Sequence, residues 1–203
     1  MQTPHIRYLT GMASVLVTFW FATDVALACA CCSNTASRYV AVEKLGEQRR
    51  GEIERMTFAE EAFVAEGAGD HPIEIQNLGT KLPLTVTQTK TEIVFSFRDQ
   101  SGRAAALTLA VPDAISIFEV DPRGDTRDNG LGPSLYKEWQ LTMSANGSGA
   151  FRPLVEAGQK VTLILHGRGH GCTEAMHFTD WTLLVRGPAG KFTLYGALTS
   201  AFR

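Results

Sequence analysis

The stretch "TEIVFSFR", residues 91–98, has a period of two. Ile93, Phe95 and Phe97 fall on one side of an extended chain, with Ser96 and Arg98 on the other. A period of two marks a β-strand with one buried face. The pattern recurs outward from it. In "LYKEWQLTM" (135–143) Leu135, Trp139, Leu141 and Met143 oppose Tyr136, Glu138, Gln140 and Thr142. "KVTLILH" (160–166) sets Val161, Leu163 and Leu165 against Thr162, Ile164 and His166. "WTLLVR" (181–186) and "KFTLYGAL" (191–198) behave alike, and apolar runs at 82–88, 104–111 and 115–120 complete the set.

The separators are "DQSG", "VPDA", "ANGSG" and "GPAGK", all rich in turn-forming residues. Eight or nine short strands without helices between them pair antiparallel, and each sheet must bury its apolar face. The fold class expected is all-β: an antiparallel β-sandwich or barrel of about eight strands, with one short N-terminal helix. That helix is expected to begin within "NTASRYVAVEKLGEQRR" (34–50). Asn34, Thr35 or Ser37 would cap it, Tyr39, Val40 and Leu45 would form its apolar side, and Gly46 would weaken it.

Upstream, "MQTPHIRYLTGMASVLVTFWFATDVALACACC" has the order of a secretory signal peptide: Arg7, an apolar run over 12–22, then the small residues of "VALACA". The expected division is a signal peptide over 1–28, a cysteine-rich segment with the short helix over 29–52, and one β-domain over 53–203. Cleavage is expected near 28–30. A lipid on Cys29 is a further processing route, although Ala26 stands where a lipoprotein motif usually has a larger aliphatic residue. The expected compartment is the periplasm or cell envelope of a bacterium.

The chain has 203 residues, a formal net charge of −2 and a pI of about 6.2, so no basic surface recommends nucleic-acid binding. No apolar stretch in the processed chain is long enough to span a bilayer as a helix.

Cysteine is confined to Cys29, Cys31, Cys32 and Cys172. In an exported protein all four are disulfide candidates. Cys172 lies in "LHGRGHGCTEAMHFTDW", beside His166, His170 and His177, with glycines at 167, 169 and 171 that allow a tight backbone. Imidazole with thiolate suits copper or zinc. His166, His170, Cys172, His177, Cys31 and Cys32 are therefore the candidate metal ligands. The Cys172-x₄-His177 spacing resembles that of the blue-copper cupredoxins, but Trp181 follows where methionine is usual, and the match spans about ten residues. It assigns no family.

"EVDPRGDTRDNG" (119–130) places Arg127 at a ligand position when set on an EF-hand loop, and it reads as a charged connection between strands. No nucleophile elbow, phosphate loop or dinucleotide fingerprint is present. The expected function is a non-catalytic envelope binding protein, with copper or zinc as the ligand. The alternative is a disulfide-stapled structural or partner-binding protein without metal. An enzyme of unassigned chemistry comes third.

Overall fold

The computed structural model describes residues 38–66, 80–98, 102–120, 135–169 and 178–199. Its strands are β1 (Arg38–Lys44), β2 (Thr57–Phe58), β3 (Glu61–Glu66), β4 (Thr80–Gln88), β5 (Glu92–Arg98), β6 (Ala104–Ala110), β7 (Ala114–Val120), β8 (Leu135–Ser148), β9 (Gln159–Gly169), β10 (Phe178–Arg186) and β11 (Lys191–Thr199). The helix α1 is Glu47–Arg55. Eight strands close an antiparallel barrel in the order β8-β6-β5-β4-β3-β11-β10-β9 and back to β8. Of the two architectures open to an alternating pattern, the chain takes the barrel.

Closure depends on the length of β8. One edge of β8 pairs with β9 from Leu135 to Ala145. The other edge pairs first with β7, over Tyr136–Gln140, and then with β6, over Ser144–Ser148. β6 and β7 thus follow one another along a single edge, with the corner 111–113 between them. Beyond that corner β7 pairs outward with β1, whereas β6 pairs with β5. Among the described residues the barrel wall therefore carries a two-strand extension, and β1 ends it.

The helix stands later than the sequence pattern suggested. Arg38–Lys44, "RYVAVEK", is a strand. Its alternation and its two β-branched valines suit a pleated surface, and all seven of its residues pair with β7. α1 follows from an extended Gly46, with Glu47 in its first turn and Arg55 in its last, both favourable to the helix dipole. The helix caps suggested at 34, 35 and 37 lie outside the described residues.

Arg50 fastens α1 to the barrel. Its guanidinium donates to the Leu45 carbonyl (3.1 Å), the Lys90 carbonyl (3.1 Å), the Pro112 carbonyl (2.9 Å) and Asp113 Oδ1 (2.9 Å). These acceptors belong to the β1–α1 link, the β4–β5 turn and the β6–β7 corner, so one side chain spans three separate connections. Gln88 adds a donor to the Ile53 and Met56 carbonyls at the helix end. We expect Arg50→Ala to lower stability by about 2–3 kcal/mol, read as a lower urea midpoint, while Lys90→Ala, whose ion pair with Glu47 is exposed, stays within about 0.5 kcal/mol.

The barrel interior is apolar and aromatic. Trp139, Trp181 and Phe95 are fully buried, with Phe95 and Trp181 centroids 5.0 Å apart and Phe58 edge-on to both. Phe151 rises from the turn after β8 against Phe97 and Phe192. Gly149, in that turn, has φ +59°, and a Cβ there would meet the Ala104 carbonyl oxygen at 2.3 Å. Only glycine lets the two backbones approach so closely. Outside, the cross-strand row Thr85–Ser96–Ala106–Ser148 is small and mostly polar. Apolar-in and polar-out is the reverse of a channel-forming membrane barrel. No helix among the described residues is long and apolar enough to cross a membrane.

Candidate functional site

Of the six side chains expected to bind metal, only His166 belongs to the described residues. His170, Cys172, His177, Cys31 and Cys32 lie outside them, as does Cys29. His166 sits on the outer face of β9, opposite Glu138 on β8 and Asp180 on β10. Its Nε2 is 3.5 Å from Thr182 Oγ1, and its ring centroid lies 6.5 Å from that of Tyr136. The Tyr136 hydroxyl donates to Glu138 Oε1, and Gln140 donates to Glu138 Oε2 at 2.7 Å.

Burial holds the His166 imidazole below its ordinary pKa, and the carboxylates of Asp180 and Glu138 offset this only in part. The ring is therefore neutral at pH 7, the form in which imidazole binds metal. Among the described residues, no group of three His, Cys, Asp or Glu side chains is arranged to hold an ion.

A second cluster occupies the inner face at the same end, and it was not anticipated. Lys137 on β8 and Glu119 on β7 are cross-strand partners, and both are almost wholly buried. The row continues to Tyr39 on one side, and to Gly167 and then Phe178 on the other. Neither carboxylate oxygen of Glu119 has a hydrogen-bond partner. Lys137 Nζ lies 6.0 Å from the Phe178 ring centroid.

Below this row Arg49 reaches up from α1. It pairs with Glu43 Oε2 at 2.5 Å and stands 5.8 Å from the Trp139 ring centroid. Glu43 also accepts from the Tyr39 hydroxyl at 3.1 Å. The Arg49 hydrogen bond holds Glu43 below the usual carboxylate range, while the hydrogen bond to Glu43 raises Tyr39. Glu119 behaves in the opposite way to Glu43. Burial pushes its carboxyl up to about 7, and the Lys137 and Arg49 charges recover only part of the loss. A buried acid that titrates near neutrality beside a lysine can store or release a proton at physiological pH.

The signals for this cluster were present but faint. Lys137 falls on the Trp139 side of the alternation in β8, the one charged side chain on that apolar face. Glu119 opens "EVDPRGDTRDNG" and closes β7 on the face of Ile115 and Ile117. Asp121, Asp125 and Asp128 of that stretch lie outside the described residues. A separate groove of about 640 Å³ lies on the far side, against Glu60, Thr85, Ser96, Arg98, Ala106 and Ser148. It shares β8 with both clusters but lies at the strand's other end, at Ser148 rather than Lys137 and Glu138.

The register fixes where the undescribed segments attach. Arg38 pairs with Val120, Tyr136 with Arg168, Leu135 with Gly169 and Phe178 with Gly167. The junctions to residues 1–37, 121–134 and 170–177 are thus at one end of the barrel. The comparisons with protein-family models, curated proteins and solved structures found no match to this chain.

Proposed function

We propose that the chain is an exported, non-catalytic β-barrel protein of a bacterial envelope that binds copper or zinc at the junction end of the barrel. The observation that carries this reading is the shared end of Arg38, Gly169 and Phe178 in the strand register. Cys31 and Cys32 lie within seven residues of Arg38, Cys172 three beyond Gly169, and His177 directly before Phe178. Three strand spacings, about 14 Å, separate β1 from β9. An extended chain covers about 3.4 Å per residue. Both cysteine segments are long enough to meet there. In this mechanism thiolates and neutral imidazoles coordinate the ion, and the continuous pairing β1-β7-β8-β9 holds their anchor points at a constant separation.

The same reach supports a second reading, in which Cys172 is oxidised to Cys31 or Cys32 and the protein is a stapled structural or partner-binding component. Mass spectrometry of the protein exported and purified without reductant separates them. Free thiols with one or two copper or zinc ions per chain, and at least about tenfold weaker binding in Cys172→Ser and His170→Ala, support the metal reading. Oxidised cysteines without metal refute it and leave the staple. The denatured mass also fixes the first residue and reveals any lipid on Cys29.

A further inference from the structure

Three of the four large apolar side chains most exposed among the described residues belong to one strand: Val42 at 74%, Val40 at 69% and Tyr39 at 44%. That strand, β1, ends the sheet, and among the described residues no other strand pairs with its second edge. A seven-residue edge without proline is the kind of element that recruits another strand. Tyr39, Ala41 and Glu43 share the inner face, being opposite Glu119, Ile117 and Ile115. Val40 and Val42 share the outer face, opposite Phe118 and Ser116.

We propose that two copies of this chain join through β1, paired antiparallel about Ala41 to make one continuous sheet across a twofold axis. The sequence "RYVAVEK" is complementary to its own reverse in that register. Tyr39 meets Glu43 of the second copy on the inner face, the same hydroxyl–carboxylate chemistry the two residues already use within the strand at 3.1 Å. Val40 meets Val42 of the second copy on the outer face, and the four valines form an apolar strip. Parallel pairing would instead oppose glutamate to glutamate, arginine to arginine and lysine to lysine. A shift by two residues in either direction shortens the ladder. The self-pairing register has one unfavourable contact, Arg38 against Lys44 at each end. Like charges thus meet at the two ends of the ladder, and salt that screens them should strengthen the dimer.

The pairing is isologous and closes at two copies. Opposed residues in an antiparallel ladder have Cα atoms about 4.5–5.5 Å apart, within disulfide range. Cysteine at position 41 would therefore face its own copy. The experiment is sedimentation equilibrium of the full processed chain over the micromolar range, together with oxidation of Ala41→Cys and peptide mapping.

A dimer that tightens with salt, a 41–41 cross-link, and a rise of about 100-fold or more in Kd for Val40→Lys/Val42→Lys support the proposal. The unchanged circular dichroism of the double variant establishes that its fold is intact, since both valines are already solvent-exposed. A monomer throughout the concentration range overturns the proposal, whether β1 is then open or covered by the chain's own first residues. So does a dimer that survives the double lysine variant, or one that yields no 41–41 link.

Discussion

Replacing Glu119 by glutamine is expected to stabilise the protein above neutral pH by up to about 3 kcal/mol and to have little effect below pH 4.5. The glutamate carboxyl is raised from 4.5 to about 7 by burial, and each pKa unit corresponds to about 1.36 kcal/mol. A raised folded-state pKa means the native state holds the proton more tightly than the unfolded chain. The stabilising contribution of protonated Glu119 is complete below pH 4.5 and is lost as pH rises through 7.

Lys137 faces Glu119 from β8, Arg49 from α1, and Tyr39 and Glu43 from β1. The two cations already favour the carboxylate, so the residual shift measures what desolvation costs beyond their help. Glutamine keeps the shape and removes the ionisation. Urea unfolding of the native and Glu119→Gln proteins at pH 4.5, 6 and 8 gives the difference directly. Lines that diverge with rising pH support this account. A variant less stable at every pH would mean that the carboxylate makes a net favourable pair with Lys137, contrary to the burial argument. Glu43 provides the internal contrast, because its lowered pKa makes its contribution present above 4.5 and lost on acidification.

Trp181→Ala is expected to cost about 3–5 kcal/mol, the largest single loss from the barrel interior. The indole is fully buried and touches Phe58 and Phe95, so no neighbour can collapse into its volume without breaking the aromatic cluster. Its position also explains Gly196 on the adjoining strand β11. A Cβ on Gly196 would stand 2.9 Å from Trp181 Nε1 and 2.9 Å from the Glu61 carbonyl oxygen. Gly196→Ala is therefore destabilising with the indole present, and less so once the indole is removed. A double-mutant cycle measured by urea denaturation should return a coupling of about 1 kcal/mol or more. Additive losses would show that Gly196 is required by the Glu61 carbonyl alone.

The β4–β11 strands were legible in the sequence because each buries one face, except that "ANGSG" (145–149), expected to be a turn, supplies the last four residues of β8, which pair with β6. A period of two in "TEIVFSFR" or "KVTLILH" records that burial locally, residue by residue. β1 was misread because its alternation is weak in hydrophobic contrast. Val40 and Val42 point to solvent, so the pattern expected of a core-facing strand is inverted, and nearby capping residues favoured the helix reading. β3 passed unnoticed for a related reason: Ala62 is its only residue counted as fully buried.

Legible from the sequence alone are the strands β4–β11, their inward faces and the antiparallel pairing that short connections impose. Local chemistry decides these, since each depends only on neighbours a few residues away. Only the tertiary structure decided that the sheet closes, because closure rests on β8 being long enough to pair with β7 and β6 in succession and with β9 along its other edge. It alone brought Glu119 opposite Lys137 and Arg49 up from α1 beneath them. Such encounters between residues distant in sequence leave no local period to read. A charged residue on each of two apolar faces, Lys137 on β8 and Glu119 on β7, was their trace.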